Sequence, residues 1–141
     1  MKIIILSICF LLFNSCAWLD SSEDIQLING YSVSWYDLES NRNLNRDIES
    51  VSKEICNQPL ITDYIYAVGF DSTYIILKTH PNHDTSRIDF YIVNTLYKEH
   101  SGANEVYGPL REKEFIYHSI RFGIDTIKFT LKFNEIPSDF N

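Results

Sequence analysis

The stretch Tyr64–Lys78, YIYAVGFDSTYIILK, limits the possible folds more than any other part of the chain. Two apolar runs flank Asp71-Ser72, a pair suited to a tight turn, and each run is apolar at odd and even positions alike. A strand with one solvated face alternates, whereas one that does not alternate must be covered above and below. The segment therefore predicts an antiparallel hairpin at the centre of a sheet, with other parts of the chain packed on both faces. A chain of 141 residues has room for one such core and too little for two separate ones.

The flanking segments supply the rest of that sheet. After the turn signal Asn29-Gly30, Tyr31, Val33 and Trp35 alternate with Ser32 and Ser34, which predicts a half-buried strand. Ile88, Phe90 and Ile92 predict a further strand beside the hairpin, and Glu105–Tyr107 a short one. Near the end, Ile127, Phe129, Leu131 and Phe133 alternate with Lys128, Thr130 and Lys132, a pattern suited to an edge strand. Gly108-Pro109 reads as a stop and turn before a helix over 111–122, whose stripe is Phe115, Ile116, Ser119 and Phe122 and whose end is marked by Gly123-Ile124. Ile48, Val51 and Ile55, with Glu49 four residues before Lys53, predict a short amphipathic helix that ends at Asn57-Gln58-Pro59. Residues 37–47, 79–86 and 97–104 read as loops. The fold class is α+β: a mostly antiparallel sheet of about five or six strands with one or two short helices. The domain spans residues 28–135, followed by a loose tail over 136–141.

The N-terminus carries an address. Lys2 precedes the apolar run IIILSICFLLF at residues 3–13, which as a helix covers roughly 16 Å, too short to span a bilayer. It reads as the core of a secretory signal. Asn14-Ser15-Cys16-Ala17 follows, the arrangement of a bacterial lipobox, in which the chain is cut before the cysteine and its sulfur takes diacylglycerol. Residues 1–15 are then signal peptide, Cys16 is the lipidation site, and residues 16–27 form a lipidated polar tether. Two other readings stand beside it: cleavage after Ala17 by an ordinary signal peptidase, and an uncut short anchor. Phe13 and Asn14 depart from the stricter lipobox, and the looser form points to a Bacteroidetes envelope. Ala17 lacks the inner-membrane retention signal known from enterobacteria, which favours the outer membrane. Acyl chains such as palmitate add about 0.8 kcal/mol per buried CH₂.

Composition removes some function classes. Twelve basic against nineteen acidic residues, a net charge of −7, argue against a nucleic-acid partner. With Cys9 in the signal and Cys16 lipidated, Cys56 is left alone, reads as a buried hydrophobe, and has no disulfide partner in the chain. His80-Pro81-Asn82-His83-Asp84 is the one cluster of ligand-type side chains, with His100 and His118 as distant candidates, but its spacing is that of a polar loop. Asp63, Asp71 and Asp89 read as solvated carboxylates at strand ends. Trp35, Tyr36, Tyr91 and Tyr97 raise the prospect of an aromatic platform for carbohydrate or peptide, although alternation assigns Trp35 to the core. No catalytic motif, metal set or cofactor is expected. The partners expected are the bilayer, through Cys16, and another envelope protein. The leading reading is a binding or assembly module, which predicts an exposed apolar patch. A small metal-dependent hydrolase would need His80 and His83 to converge with a third donor. An inhibitor or protective lipoprotein would need a protruding acidic loop, for which Asp37–Asp47, with Arg42 and Arg46, is poorly suited.

Several blocks together carry a resemblance: the lipobox at Cys16, NGYSV at Asn29–Val33, AVGFDSTYIILKTHP at Ala67–Pro81, FYIV at Phe90–Val93 and VYGPLREKEF at Val106–Phe115. In these the chain resembles a family of uncharacterised bacterial lipoproteins, the domain of unknown function 3997 type, over residues 1–124. The resemblance implies a membrane-anchored lipoprotein, offers no activity, and leaves the last strand outside. It gives Lys78 and His80 no role. Arg111 departs from the family pattern, where a Ser or Thr is expected to cap the helix and pair with Glu114.

Overall fold

The computed structural model describes residues 22–49, 53–98 and 101–140. Strands β1 (Ser22–Gln26), β2 (Tyr31–Tyr36), β3 (Asn43–Glu49), β4 (Ile55–Ile61), β5 (Tyr64–Phe70), β6 (Tyr74–His80), β7 (Asp89–Asn94), β8 (Val106–Leu110) and β9 (Leu131–Lys132) lie in chain order, with helix α1 (Glu112–Phe122) between the last two. The predicted central hairpin is β5–β6. Its turn is closed by Asp71, whose carboxylate accepts the N–H groups of Thr73 and Tyr74, each at 2.7 Å. The fold is α+β, with its strands divided between two antiparallel sheets rather than gathered into one. The first sheet runs β1-β2-β3-β4 and the second β8-β7-β6-β5-β9.

The unbroken apolar runs of the hairpin are explained by what lies on each side of it. On one face Ile65, Val68, Ile75 and Leu77 meet Tyr31, Val33, Leu44 and Ile61 of the first sheet. On the other face Ile76 and Ile92 meet Ile124, with Phe115, Phe122 and Phe129 packed around them. Residues that would otherwise sit in water are thus buried twice over, each side chain contributing about 1.5–3 kcal/mol. β9 is the edge strand expected from its lysines, although only Leu131–Lys132 of the alternating segment enters the ladder, opposite Ala67 and Val68.

The first half of the domain departs from the sequence reading. The tether expected over residues 16–27 instead enters the sheet at Ser22, where β1 pairs with β2. Asn43–Glu49, expected as a loop and the start of a helix, is β3, and Ile55–Ile61 is β4, its antiparallel partner. Ile48 opposes Cys56 and Glu49 opposes Ile55, so their three-and-four spacing is incidental; Val51 lies outside the described residues. The buried polar groups of β3 find partners that spacing does not reveal: Asn45 donates to Ser34 Oγ at 2.6 Å. Cys56 is exposed rather than buried, because it lies on an edge strand whose outer residues cover nothing. Asp37–Asp47 is not a protruding loop either, since Ser40, Arg42, Leu44 and Asn45 are all buried.

Two further corrections concern the second half. Gly108-Pro109 lies inside β8, joined by a cis peptide bond, rather than ending a strand. A Cβ at Gly108 would stand 2.3 Å from the Tyr91 ring, so that close approach accepts only glycine. The tail is fastened rather than loose: Ser138–Phe140 forms a 3-10 turn, Ser40 Oγ donates to Asp139, and the Phe140 ring lies 5.9 Å from that of Tyr64.

Candidate functional site

Helix α1 presents two apolar faces where the fold uses one. Its N-terminus is held without the expected Ser or Thr, because the Arg111 N–H donates to the Glu114 carboxylate at 2.8 Å, which is half of a capping box. The Arg111 guanidinium is thereby free to reach the Asp89 carboxylate at 3.3 Å. At the C-terminus Gly123 takes a left-handed conformation, and the Ile124 N–H donates to the Ser119 carbonyl at 2.9 Å. These ends set the rotation of the helix on β7 and β8. Phe115 then stacks on Phe90 at 4.8 Å, Phe122 on Tyr74 at 5.8 Å, and Ser119 is buried between them.

Ile116, expected within that inward stripe, points outward instead. It is 50% exposed, and with Tyr117 at 62% and Ile120 at 64% it forms a continuous apolar surface on the solvent side. Beside it lies a hollow of about 240 Å³ lined by Ile116, Ile120, Ile124 and Ile127 among others. The charges along this stretch, Glu112, Lys113, Glu114, Arg121 and Asp125, nearly cancel. Scattered exposed apolar side chains are ordinary on a protein surface; three on adjacent turns next to a hollow mark a contact surface.

The candidate metal ligands do not converge. His80 is fully buried, and its Nδ1 donates to the Arg87 carbonyl at 2.7 Å, which places the ring proton on that nitrogen and leaves Nε2 buried without a partner. Its ring stacks on Tyr66 at 4.5 Å. His83 points elsewhere and packs on Phe140 at 4.9 Å. His118 stacks on Phe122, and His100 lies outside the described residues. No group of three or more His, Cys, Asp or Glu side chains is placed to hold a metal among the described residues.

Of the three carboxylates read as solvated, only Asp71 is exposed as a turn residue. Asp89 is buried to 1% and held by Arg87 through two contacts of 3.1 and 2.9 Å, besides Arg111. Asp63 accepts the Tyr91 hydroxyl at 2.9 Å. The aromatic platform is not assembled, since Tyr91 is buried in the second sheet while Tyr36 stands exposed at the end of β2. Trp35 is half-buried and donates to Glu23 at 3.1 Å. The lipidation candidate Cys16 lies outside the described residues.

Burial also shifts four tyrosines. Desolvation pushes Tyr64 and Tyr66 up to about 12. It raises Tyr31 and Tyr91 further, helped by the hydrogen-bonded carboxylates of Glu105 and Asp63. Each stays neutral in the fold above the pH at which the unfolded chain ionises, near 10. The associated stability is complete below about pH 10 and is lost as the pH rises through 12 and beyond. Unfolding followed by circular dichroism is therefore expected to begin above pH 10 and to coincide with tyrosinate absorbance. Tyrosinate appearing in the still-folded protein near pH 10, beyond the share of the exposed tyrosines, would contradict this.

Neither the curated proteins nor the solved structures offer a match to the chain. A family model described as a protein of unknown function, DUF3997, matches residues 28–136. The match reaches past Ile124, so β9 lies within the family's domain rather than outside it. Spanning far more than half of the chain, it shows that this protein belongs to the DUF3997 family.

Proposed function

We propose that this protein is a lipid-tethered binding module of a bacterial cell envelope, anchored to the outer membrane through Cys16 and holding a partner protein on the outer face of α1. The observation that carries the reading is the exposed surface of Ile116, Tyr117 and Ile120. A helix that packs a core on one side gains nothing from three large apolar side chains on the other unless something covers them. The near-neutral rim of that face favours a protein over the bilayer, because membrane-adsorbing helices carry a basic polar side. The partner that fits is an amphipathic helix laying an apolar stripe along α1, with one side chain in the adjoining hollow.

The anchor and this surface fit together. Five residues separate Cys16 from β1 at Ser22, and even fully extended they and the cysteine reach at most roughly 20 Å. A domain on so short a leash stays close to the bilayer and meets other envelope proteins there.

A photo-reactive amino acid at Tyr117 tests the reading in intact cells, with the same substitution at exposed Leu96 as control. A discrete crosslink from position 117 is expected, to an apolar helical segment of one envelope protein. Ile120→Asp in the same chain should reduce it at least about tenfold, because a charge buried in an apolar contact is not tolerated. Equal crosslinking from both positions, or a crosslink untouched by Ile120→Asp, would overturn the assignment.

A further inference from the structure

The face of the second sheet that carries α1 also holds a feature separate from the helix's outer surface. A cleft of about 580 Å³ opens beside β5 and β6, lined by Tyr66 and Ala67, by Lys78, and by a C-terminal run that includes Lys128, Phe129, Lys132, Phe133 and Glu135. Three of the chain's seven lysines thus face one cleft in a protein whose net charge is −7. Among the described residues none of the three is ion-paired, while Arg42, Arg46, Arg87 and Arg111 each hold a carboxylate. Three like charges against the single carboxylate of Glu135 repel, and such an arrangement is relieved by an anion.

The fold fixes the Lys78 ammonium and the backbone positions from which Lys128 and Lys132 extend. Lys78 is half-buried, its Nζ 5.0 Å from the centre of the Phe129 ring and 5.5 Å from that of Phe90. Lys132 is set by its register opposite Ala67, and the Phe133 N–H donates to the Tyr66 carbonyl at 2.9 Å. The Lys128 backbone lies directly on Gly69, where an added Cβ would stand 2.4 Å from the Lys128 carbonyl oxygen. Tyr66 adds a hydroxyl that has no protein partner among the described residues and remains protonated at neutral pH.

We propose that this cleft binds a small organic anion, a phosphate or carboxylate joined to a compact ring or apolar body. The lysines and the Tyr66 hydroxyl supply donors for the oxyanion. The flanks of Phe129 and Phe133 cover the body. The volume is that of an ordinary small-molecule site and far exceeds a bare inorganic ion. Lysines suit a headgroup of varied geometry, since each acts as a point charge rather than a planar fork. Glu135 leaves the lining with a net charge of +2, which suits one anionic group better than a polyanion.

Amine-reactive footprinting of the full chain in detergent, read by mass spectrometry, tests the proposal with phenyl phosphate as probe. Phenyl phosphate is expected to slow labelling of Lys78, Lys128 and Lys132 together, with one midpoint, while Lys53 and Lys113 label as before. Inorganic phosphate should need roughly tenfold higher concentration and benzyl alcohol should protect nothing. Lys132→Gln, read at Lys78 and Lys128, should weaken protection by about tenfold, the loss of one charge-assisted hydrogen bond. Unchanged labelling of the three lysines overturns the proposal. So does equal protection by inorganic phosphate, which would mean ionic screening only, or equal protection at Lys53 and Lys113. Lys113→Gln is a surface control expected to change nothing.

Discussion

Arg42→Ala is expected to destabilise the domain by about 3–5 kcal/mol, the cost of removing one partner from a buried ion pair. The Arg42 side chain is 3% exposed and its guanidinium lies 3.9 Å from the centre of the Phe133 ring. It donates to the Tyr64 hydroxyl at 3.2 Å, reaches Glu39 at 3.4 Å and Glu23 at 3.6 Å. One side chain therefore joins β1, the 3-10 turn Glu39–Asn41, β5 and the C-terminal segment. Glu39 in turn accepts Asn134 Nδ2 at 3.2 Å, and Tyr64 donates to the Asn134 carbonyl. Arg42→Met keeps the stem against Phe133 and should cost markedly less, about 1–2 kcal/mol. Urea unfolding measures both. A shifted midpoint at constant slope is the expected form, and an Arg42→Ala cost below about 1 kcal/mol would contradict the role given to it.

Gly69→Ala is expected to cost about 3 kcal/mol although it adds one methyl group, toward the upper end for overpacking. The added carbon would sit 2.4 Å from the Lys128 carbonyl oxygen and 2.9 Å from its carbon. Both are backbone atoms that cannot rotate away, and the Ile76 side chain at 3.0 Å closes the other direction. The segment over β5 must lift, breaking the bonds from Thr130 N–H to Val68 and from Phe133 N–H to Tyr66. Hydrogen exchange should therefore show lost protection at Thr130 and Phe133 while β6 and β7 keep theirs. Protection retained at both amides would contradict this account of how the segment is seated.

The parts of the fold legible in the sequence are those whose partners lie nearby or whose burial is two-sided. The β5–β6 hairpin needs only its own apolar runs and Asp71. Helix α1 is marked by Phe115, Ser119 and Phe122 and closed by Gly123. Of the first sheet only β2 was legible, by its alternation; the other three strands are held by contacts that leave no local pattern. β1 is an acidic pentapeptide whose place depends on backbone pairing and on Glu23 meeting Trp35 and Arg42. β3 is polar throughout most of its length, yet Asn45 is buried, its amide donating to Ser34 diagonally across the ladder. Glu49 and Lys53, spaced as if on a helix, fall in and beyond a strand. The tail depends on Ser40 and Asp139, ninety-nine residues apart.

The same rule separates the candidate sites. His80 and His83 are neighbours in sequence, and the 3-10 turn at Pro81 sends one ring inward and the other onto Phe140. Asp89 looked solvated because one of its two arginines, Arg111, is twenty-two residues away, and Arg87, two residues before it, reads equally well as a solvated neighbour. The outward turn of Ile116 was not readable, since any one of four positions on α1 completes an apolar stripe. The three lysines of the cleft come from two segments about fifty residues apart, and only the pairing of β9 with β5 brings them together.

Metabolic labelling with a clickable fatty acid tests the proposed tether, a lipid on Cys16 that holds the folded domain at the membrane. Wild type and Cys16→Ala are compared after separating membrane from soluble fractions. Label on the wild type in the membrane fraction is expected, with Cys16→Ala unlabelled and released from that fraction. Wild type without label and recovered with the soluble proteins would contradict it.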